Sequence, residues 1–158
     1  MRLVTLTLFA ILHGVALADH PGNAILKGST GQWEGELYYL DYRSGQRFGI
    51  PLHIDATVTP DGATLVRRLT FTDPGVLVHA VSLASIDRNS GEYVEAYFRE
   101  GNAEFQRASI LSSEFSNDSE WRLVYAFDGK DDDRPARIRQ TIERTGETIT
   151  SKKEVRFL

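Results

Sequence analysis

Charged and phenolic side chains interrupt apolar alternations in the middle of the chain. Tyr93, Glu95 and Tyr97 occupy every second position of one such run, and Arg67 and Arg107 interrupt two others. Because a buried guanidinium is rare without a partner, inward-facing arginines would need Glu95 or a ligand anion. Two guanidiniums facing one carboxylate leave a positive surplus that a ligand carboxylate or phosphate would neutralise. We therefore predict a ligand-binding set made of Leu37, Tyr39, Arg67, Tyr93, Glu95, Tyr97, Arg107 and Tyr125.

The run that contains Glu95 can face either way in a sheet. Apolar burial preferences favour a core made of Val94, Ala96 and Phe98. If the alternate residues Tyr93, Glu95 and Tyr97 face inward instead, they line a cavity. The predicted site exists only in this second orientation of the strand.

Other chemistries have little support in the sequence. There is no cysteine, which excludes thiol nucleophiles, disulfides and cysteine-ligated zinc. The acidic run from Asp128 to Asp133 lacks the order of an EF-hand and predicts a solvated turn, so we expect no metal and no other cofactor. A net charge of −4 with scattered basic residues argues against nucleic-acid binding.

His79 shares alternate positions with apolar residues and is predicted to face inward.

The elements that would position these residues are short strands. Nine β-rich runs follow one another from Trp33 to Phe157, separated by short turns that carry Gly, Asn, Asp or Pro. Short turns join antiparallel neighbours, and closure removes the exposed edges of a long meander. The pattern predicts an all-β, up-and-down antiparallel meander that closes into a barrel of about eight to ten strands. An open sandwich is the alternative.

The N-terminus has the three regions of a secretory signal peptide. Arg2 supplies the positive charge, an apolar stretch follows, and Ala16 and Ala18 form a small-x-small cleavage site. We expect residues 1–18 to be a signal peptide and residues 19–158 to be one barrel domain without a membrane span. A periplasmic or secreted location follows.

Gly31, Gln32 and Trp33 open the first strand, and Arg156 lies just before the end of the last. A Gly-x-Trp at the start of a meander barrel resembles the calycin superfamily, which includes the lipocalins, and this chain would be an exported, bacterial-type member. The resemblance implies a lipocalin-like barrel in which Trp33 closes one end and Arg156 packs across the indole.

Three functions fit these features. The first is an exported protein that holds a partly apolar, anionic small molecule inside the barrel. The second is a structural or protein-interaction module with a filled interior, whose outer face contacts an envelope protein. The third is a barrel enzyme that uses Glu95, Tyr97 or His79 as acid or base.

We predict cleavage after Ala18 in the native host. Intact-mass measurement of the exported protein tests this prediction, and a mass equal to that of the full chain would refute it.

Overall fold

The computed structural model describes residues 21–40, 45–73 and 75–158. The predicted signal peptide lies outside these residues. The described chain begins with helix α1 (Pro21–Gly28). Nine strands follow: β1 (Gly31–Leu40), β2 (Arg47–Val58), β3 (Thr64–Asp73), β4 (Val76–Ile86), β5 (Tyr93–Arg99), β6 (Asn102–Asn117), β7 (Glu120–Asp131), β8 (Arg134–Thr145) and β9 (Thr148–Phe157).

All nine strands form one antiparallel sheet whose spatial order is the sequence order, β1 to β9. The predicted all-β meander is therefore confirmed. The predicted closure is wrong, because β1 and β9 are the two edges of the sheet and do not pair within the described residues. The sheet curls instead into an open half-barrel with a concave and a convex face. Register shifts near Ile110 and Phe115 mark irregularities in β6, and such bulges bend a sheet.

The composition of β9 explains why this edge stays unpaired. Lys152, Lys153, Glu154 and Arg156 give the strand a charged and exposed edge. Charged side chains on an edge strand oppose pairing with another strand because their burial costs free energy.

Helix α1 packs on the concave face at the end where β1 begins. Its apolar residues Ile25 and Leu26 are buried in a core cluster with residues of β2 to β7. Gly28 ends the helix directly against Trp121, and a Cβ at this position would lie only 2.7 Å from the indole Nε1. Only glycine fits so close an approach without a shift of the indole. The helix therefore fills one end of the half-barrel and leaves the other end open.

Two side chains fix the helix terminus to the far side of the sheet. The carbonyl of Gly28 accepts hydrogen bonds from Nε1 of Trp121 at 3.3 Å and from Nη1 of Arg144 at 2.7 Å. Helix C-terminal carbonyls lack partners within the helix, so both contacts satisfy groups that would otherwise need water. The guanidinium of Arg144 also lies 4.9 Å from the ring centre of Trp33.

Arg144 therefore lies over Trp33 where the sequence predicted Arg156. Arg156 pairs in register with Arg137 and is exposed. It lies near the end of β9, whereas Trp33 lies near the start of β1, at the end of the half-barrel that α1 fills. Arg156 also faces the convex side of the sheet, whereas Trp33 and Arg144 share the concave face, so Arg156 cannot pack on the indole.

We expect Arg144→Ala to lower the free energy of unfolding by about 1–2 kcal/mol, because it removes a charge-assisted hydrogen bond and a cation–π contact. Arg156→Ala is the matched control and should change it by less than about 0.5 kcal/mol, as is usual for exposed positions. Equilibrium urea denaturation measures both values. Equal losses in the two variants would contradict the assignment of Arg144.

Candidate functional site

Five polar or aromatic residues meet on the concave face, next to the core that α1 completes. We call them the Arg67 cluster: Arg67 of β3, Ser82 of β4, Tyr93 and Glu95 of β5, and Tyr125 of β7. Strand pairing accounts for the meeting. Arg67 lies directly opposite Ser82, and Glu95 lies opposite Ala84, the next concave residue of β4. Alternate residues share a face of a strand, so Tyr93 and Glu95 both point inward.

The guanidinium of Arg67 is the centre of this cluster. Its Nε donates to Oγ of Ser82 at 2.8 Å, and Nη2 donates to the hydroxyl of Tyr93 at 3.3 Å and to Oε1 of Glu95. The hydroxyl of Tyr93 in turn donates to Oε2 of Glu95 at 3.2 Å. The ion pair is largely removed from water, with side-chain exposures of 22% for Arg67 and 18% for Glu95. The cluster holds one positive and one negative charge and is neutral as a whole.

The ring of Tyr93 stacks on that of Tyr125, with centroids 4.3 Å apart and planes inclined by 16°. Burial raises the pKa of Tyr93 to about 12, and the opposing effect of Arg67 is smaller. Burial also raises the pKa of Tyr125, and the neighbouring Tyr93 and Glu95 add to this effect. For Arg67, burial lowers the pKa, but Tyr93 and Glu95 outweigh it and the net direction is upward. The phenols are therefore neutral and the guanidinium is charged over the whole physiological range.

Beyond the cluster, toward the open end, the concave face of β1 and β2 is apolar, whereas Arg99, Glu104 and Lys153 lie on the same face of β5, β6 and β9. We call this region the concave groove. Tyr39 and Phe48 are 53% and 61% exposed, and Phe157 on the opposite wall is 38% exposed. Strand register places Leu37, Phe71 and Phe127 on the same surface. Large apolar side chains are normally buried, so a run of uncovered ones inside a curved sheet indicates a surface that takes an apolar partner.

Most of the predicted ligand-binding residues lie on this concave surface. Arg67, Tyr93, Glu95 and Tyr125 contact one another in the cluster, whereas Leu37, Tyr39 and Tyr97 lie nearer the open end. Burial also raises the pKa of Tyr97.

Arg107 differs from the prediction, since it lies opposite Val94 on the convex face. There Nη1 of Arg107 donates to Asp87 at 3.0 Å and to Glu92 at 3.1 Å. Arg107 therefore adds no positive charge to the Arg67 cluster.

His79 also lies on the convex face, exposed and 3.2 Å from the hydroxyl of Thr70. The sequence placed it inward because it alternates with large apolar residues. Strand β4 takes the opposite phase and buries Ala80, Ser82 and Ala84 instead. Arg67 and Tyr93 occupy the space above these positions, so only small side chains fit beneath them.

Sequence reasoning missed two polar residues and one large apolar residue of this surface. Ser82 is 1% exposed and accepts the hydrogen bond of Arg67. Gln106 lies opposite Glu95, and its amide nitrogen is buried without a hydrogen-bond partner within the described residues. Phe48 alternates with Ile50, Leu52 and Ile54, which predicts the apolar face of β2 but does not mark a binding residue. The small residues around Ser82 were the available signal for the phase of β4.

A second apolar surface lies on the convex face of β4, β5 and β6. Phe98 and Phe105 contact edge to face with centroids 6.2 Å apart, and Phe105 is 78% exposed. Val81 and Leu83 on the neighbouring strand are also exposed. We call these four residues the convex patch.

Comparisons with family profiles, with curated proteins and with solved structures found no match to this chain. The described residues contain no group of three or more His, Cys, Asp or Glu placed to hold a metal ion. The one helix that they form is too short to cross a bilayer.

The raised pKa values of Tyr93 and Tyr125 predict a loss of stability at high pH. Unfolded tyrosine ionises near pH 10, while the folded phenols hold their protons longer, so the unfolded state releases protons first as the pH rises. We expect the free energy of unfolding to fall by about 1.4 kcal/mol per pH unit for each such tyrosine between about pH 10 and pH 12.

Urea denaturation across this range, with tyrosinate absorbance recorded in parallel, measures the effect. Tyr125→Phe removes one of the two groups and should flatten the pH dependence. Identical slopes for the wild type and this variant would contradict the burial of the Tyr125 phenol.

Proposed function

We propose that this protein is an exported binding protein that holds a single-chain amphipathic molecule in the concave groove. The observation that carries the proposal is the exposed apolar surface inside the half-barrel, formed by Tyr39 and Phe48. Phe157 on the opposite wall is partly exposed, and the guanidinium of Arg134 lies 3.6 Å from its ring centre. An acyl or alkyl chain lying there would remove this surface from water, at about 25 cal/mol for each Å² of apolar area.

The Arg67 cluster supports the amphipathic part of the proposal. It ends the groove with a polar surface next to apolar walls, and the few polar groups of a ligand pocket normally fix the orientation of the ligand. Both members of the ion pair retain some exposure, so a polar group of the ligand can reach them.

Export and a calycin-like relationship belong to the same proposal. The composition of residues 1–18 supports export. Trp33 at the start of the meander, beneath an arginine, supports the relationship, although that arginine is Arg144 on β8. Catalysis is not proposed, because Glu95 already accepts hydrogen bonds from Arg67 and Tyr93 within the site.

A protein-interaction module is the second candidate, and the convex patch favours it. Phe105 is more exposed than any other large apolar residue in the described strands, and exposed aromatic side chains are enriched at protein interfaces. The two candidates place the functional surface on opposite faces of one sheet.

Isothermal titration calorimetry with monodecanoylglycerol below its critical micelle concentration tests the proposal. Phe48→Asp places a charge in the groove and should weaken binding at least about tenfold, because the carboxylate would have to be desolvated beside the alkyl chain. Phe105→Asp is the matched control, an exposed strand phenylalanine on the convex face, and should leave the affinity unchanged. Absence of binding by the wild type, or equal losses in both variants, would refute the proposal.

A further inference from the structure

The arrangement around Arg67 indicates what kind of head group the groove takes. Nε and Nη2 of Arg67 have the partners described above, whereas Nη1 has no hydrogen-bond partner within the described residues. The side chain is 22% exposed. Guanidinium N–H groups only donate, so Nη1 can donate to a ligand oxygen in place of water.

A second unused donor lies close by. Gln106 is the cross-strand neighbour of Glu95, and its amide nitrogen Nε2 is buried without a partner. Directly opposed side chains in an antiparallel pair have Cβ atoms about 5 Å apart, so this donor belongs to the same polar surface as the ion pair. An unsatisfied buried donor lowers stability, and a hydrogen bond to an acceptor in the groove would remove this cost.

The charge of the cluster restricts the acceptor further. Glu95 neutralises Arg67, and Arg107, the second guanidinium that the sequence placed here, lies on the other face. A ligand carboxylate or phosphate would therefore meet Glu95 without a spare positive charge in the cluster. Arg99 and Lys153 lie further along the concave face, but they are paired with Glu100 and Asp131. An uncharged carbonyl or ester oxygen can accept from the same donors without this repulsion.

We propose that the groove selects neutral amphiphiles, whose ester, amide or hydroxyl oxygen accepts hydrogen bonds from Nη1 of Arg67 and from Gln106. This inference rests on the proposed function, because it assigns the head group of the molecule whose chain lies in the concave groove. It replaces the anionic ligand that the sequence suggested. Glu95 becomes the residue that determines specificity, since its charge excludes anions.

Three ligands that share one alkyl chain length test the selection: monodecanoylglycerol, decanoate and decyltrimethylammonium. Calorimetric titration of the wild type should give an affinity for monodecanoylglycerol at least about tenfold higher than for decanoate, because burying an uncompensated carboxylate is costly. Decyltrimethylammonium has no oxygen to accept a hydrogen bond from Arg67 or Gln106, so it should also bind more weakly than monodecanoylglycerol. A wild type that binds decanoate as tightly as the neutral ester would overturn the inference.

Glu95→Gln should reverse the preference. The substitution keeps the shape of the side chain and one acceptor oxygen for Arg67, and its amide nitrogen can donate to the hydroxyl of Tyr93. It leaves Arg67 without a counter-charge. We expect the affinity for decanoate to rise at least about tenfold, with that for monodecanoylglycerol changed by less than about threefold. Unchanged selectivity in a folded Glu95→Gln protein would also overturn the inference.

Gln106→Leu gives an independent measurement that leaves the ion pair intact. It should weaken binding of monodecanoylglycerol about fivefold through the loss of one hydrogen bond. Gln32→Leu is the matched control on β1 and should have no effect, since Gln32 is exposed on the convex face, opposite Asp55. Equal effects of the two glutamine variants would contradict the role of Gln106.

Failure of all three ligands to bind would refute the proposed function itself, whereas binding without head-group preference would refute only this inference.

Discussion

The structure depends on the attachment of helix α1 to the far side of the sheet. The Gly28 carbonyl accepts hydrogen bonds from Trp121 and Arg144, and Arg144 also lies over Trp33 on the first strand. These contacts connect β1 with β7 and β8 through side chains and the end of the helix. In a closed barrel, hydrogen bonds between the first and last strands would make this connection. One end of the half-barrel is thereby filled, and its other end keeps an uncovered apolar surface.

Limited space on the concave face decides the phase of the central strands. The stacked rings of Tyr93 and Tyr125 and the guanidinium of Arg67 fill the region beside α1. Strand β4 places Ala80, Ser82 and Ala84 in this region, while Val81 and Leu83 face outward. Ile86 packs in the core opposite Tyr93. The same constraint turns Phe98 of β5 onto the convex face. The polar cluster inside and the apolar patch outside thus have a single physical cause.

The sequence predicts the strand order well and the arrangement of the edges poorly. Turn residues and period-two alternation locate nine strands, because both depend on local backbone preferences. Whether β1 meets β9 depends on curvature and on α1, which are properties of the whole sheet. For the same reason Trp33 was identified but its partner was not. In the site, Arg67 and Glu95 were found because buried charges need partners. Arg107 faces outward because of which alternate residues of β6 point to the concave face, and the apolar content of the strand alone does not determine this.

The central claim is that the concave groove, and not the convex patch, is the binding surface. Chemical-shift mapping by nuclear magnetic resonance during titration with monodecanoylglycerol tests it most directly, because each residue reports separately. We expect shifts at Leu37, Phe71, Phe127 and the Arg67 side chain, and none at Phe98 and Phe105. Shifts confined to Phe98, Phe105 and their neighbours on the convex face would contradict it.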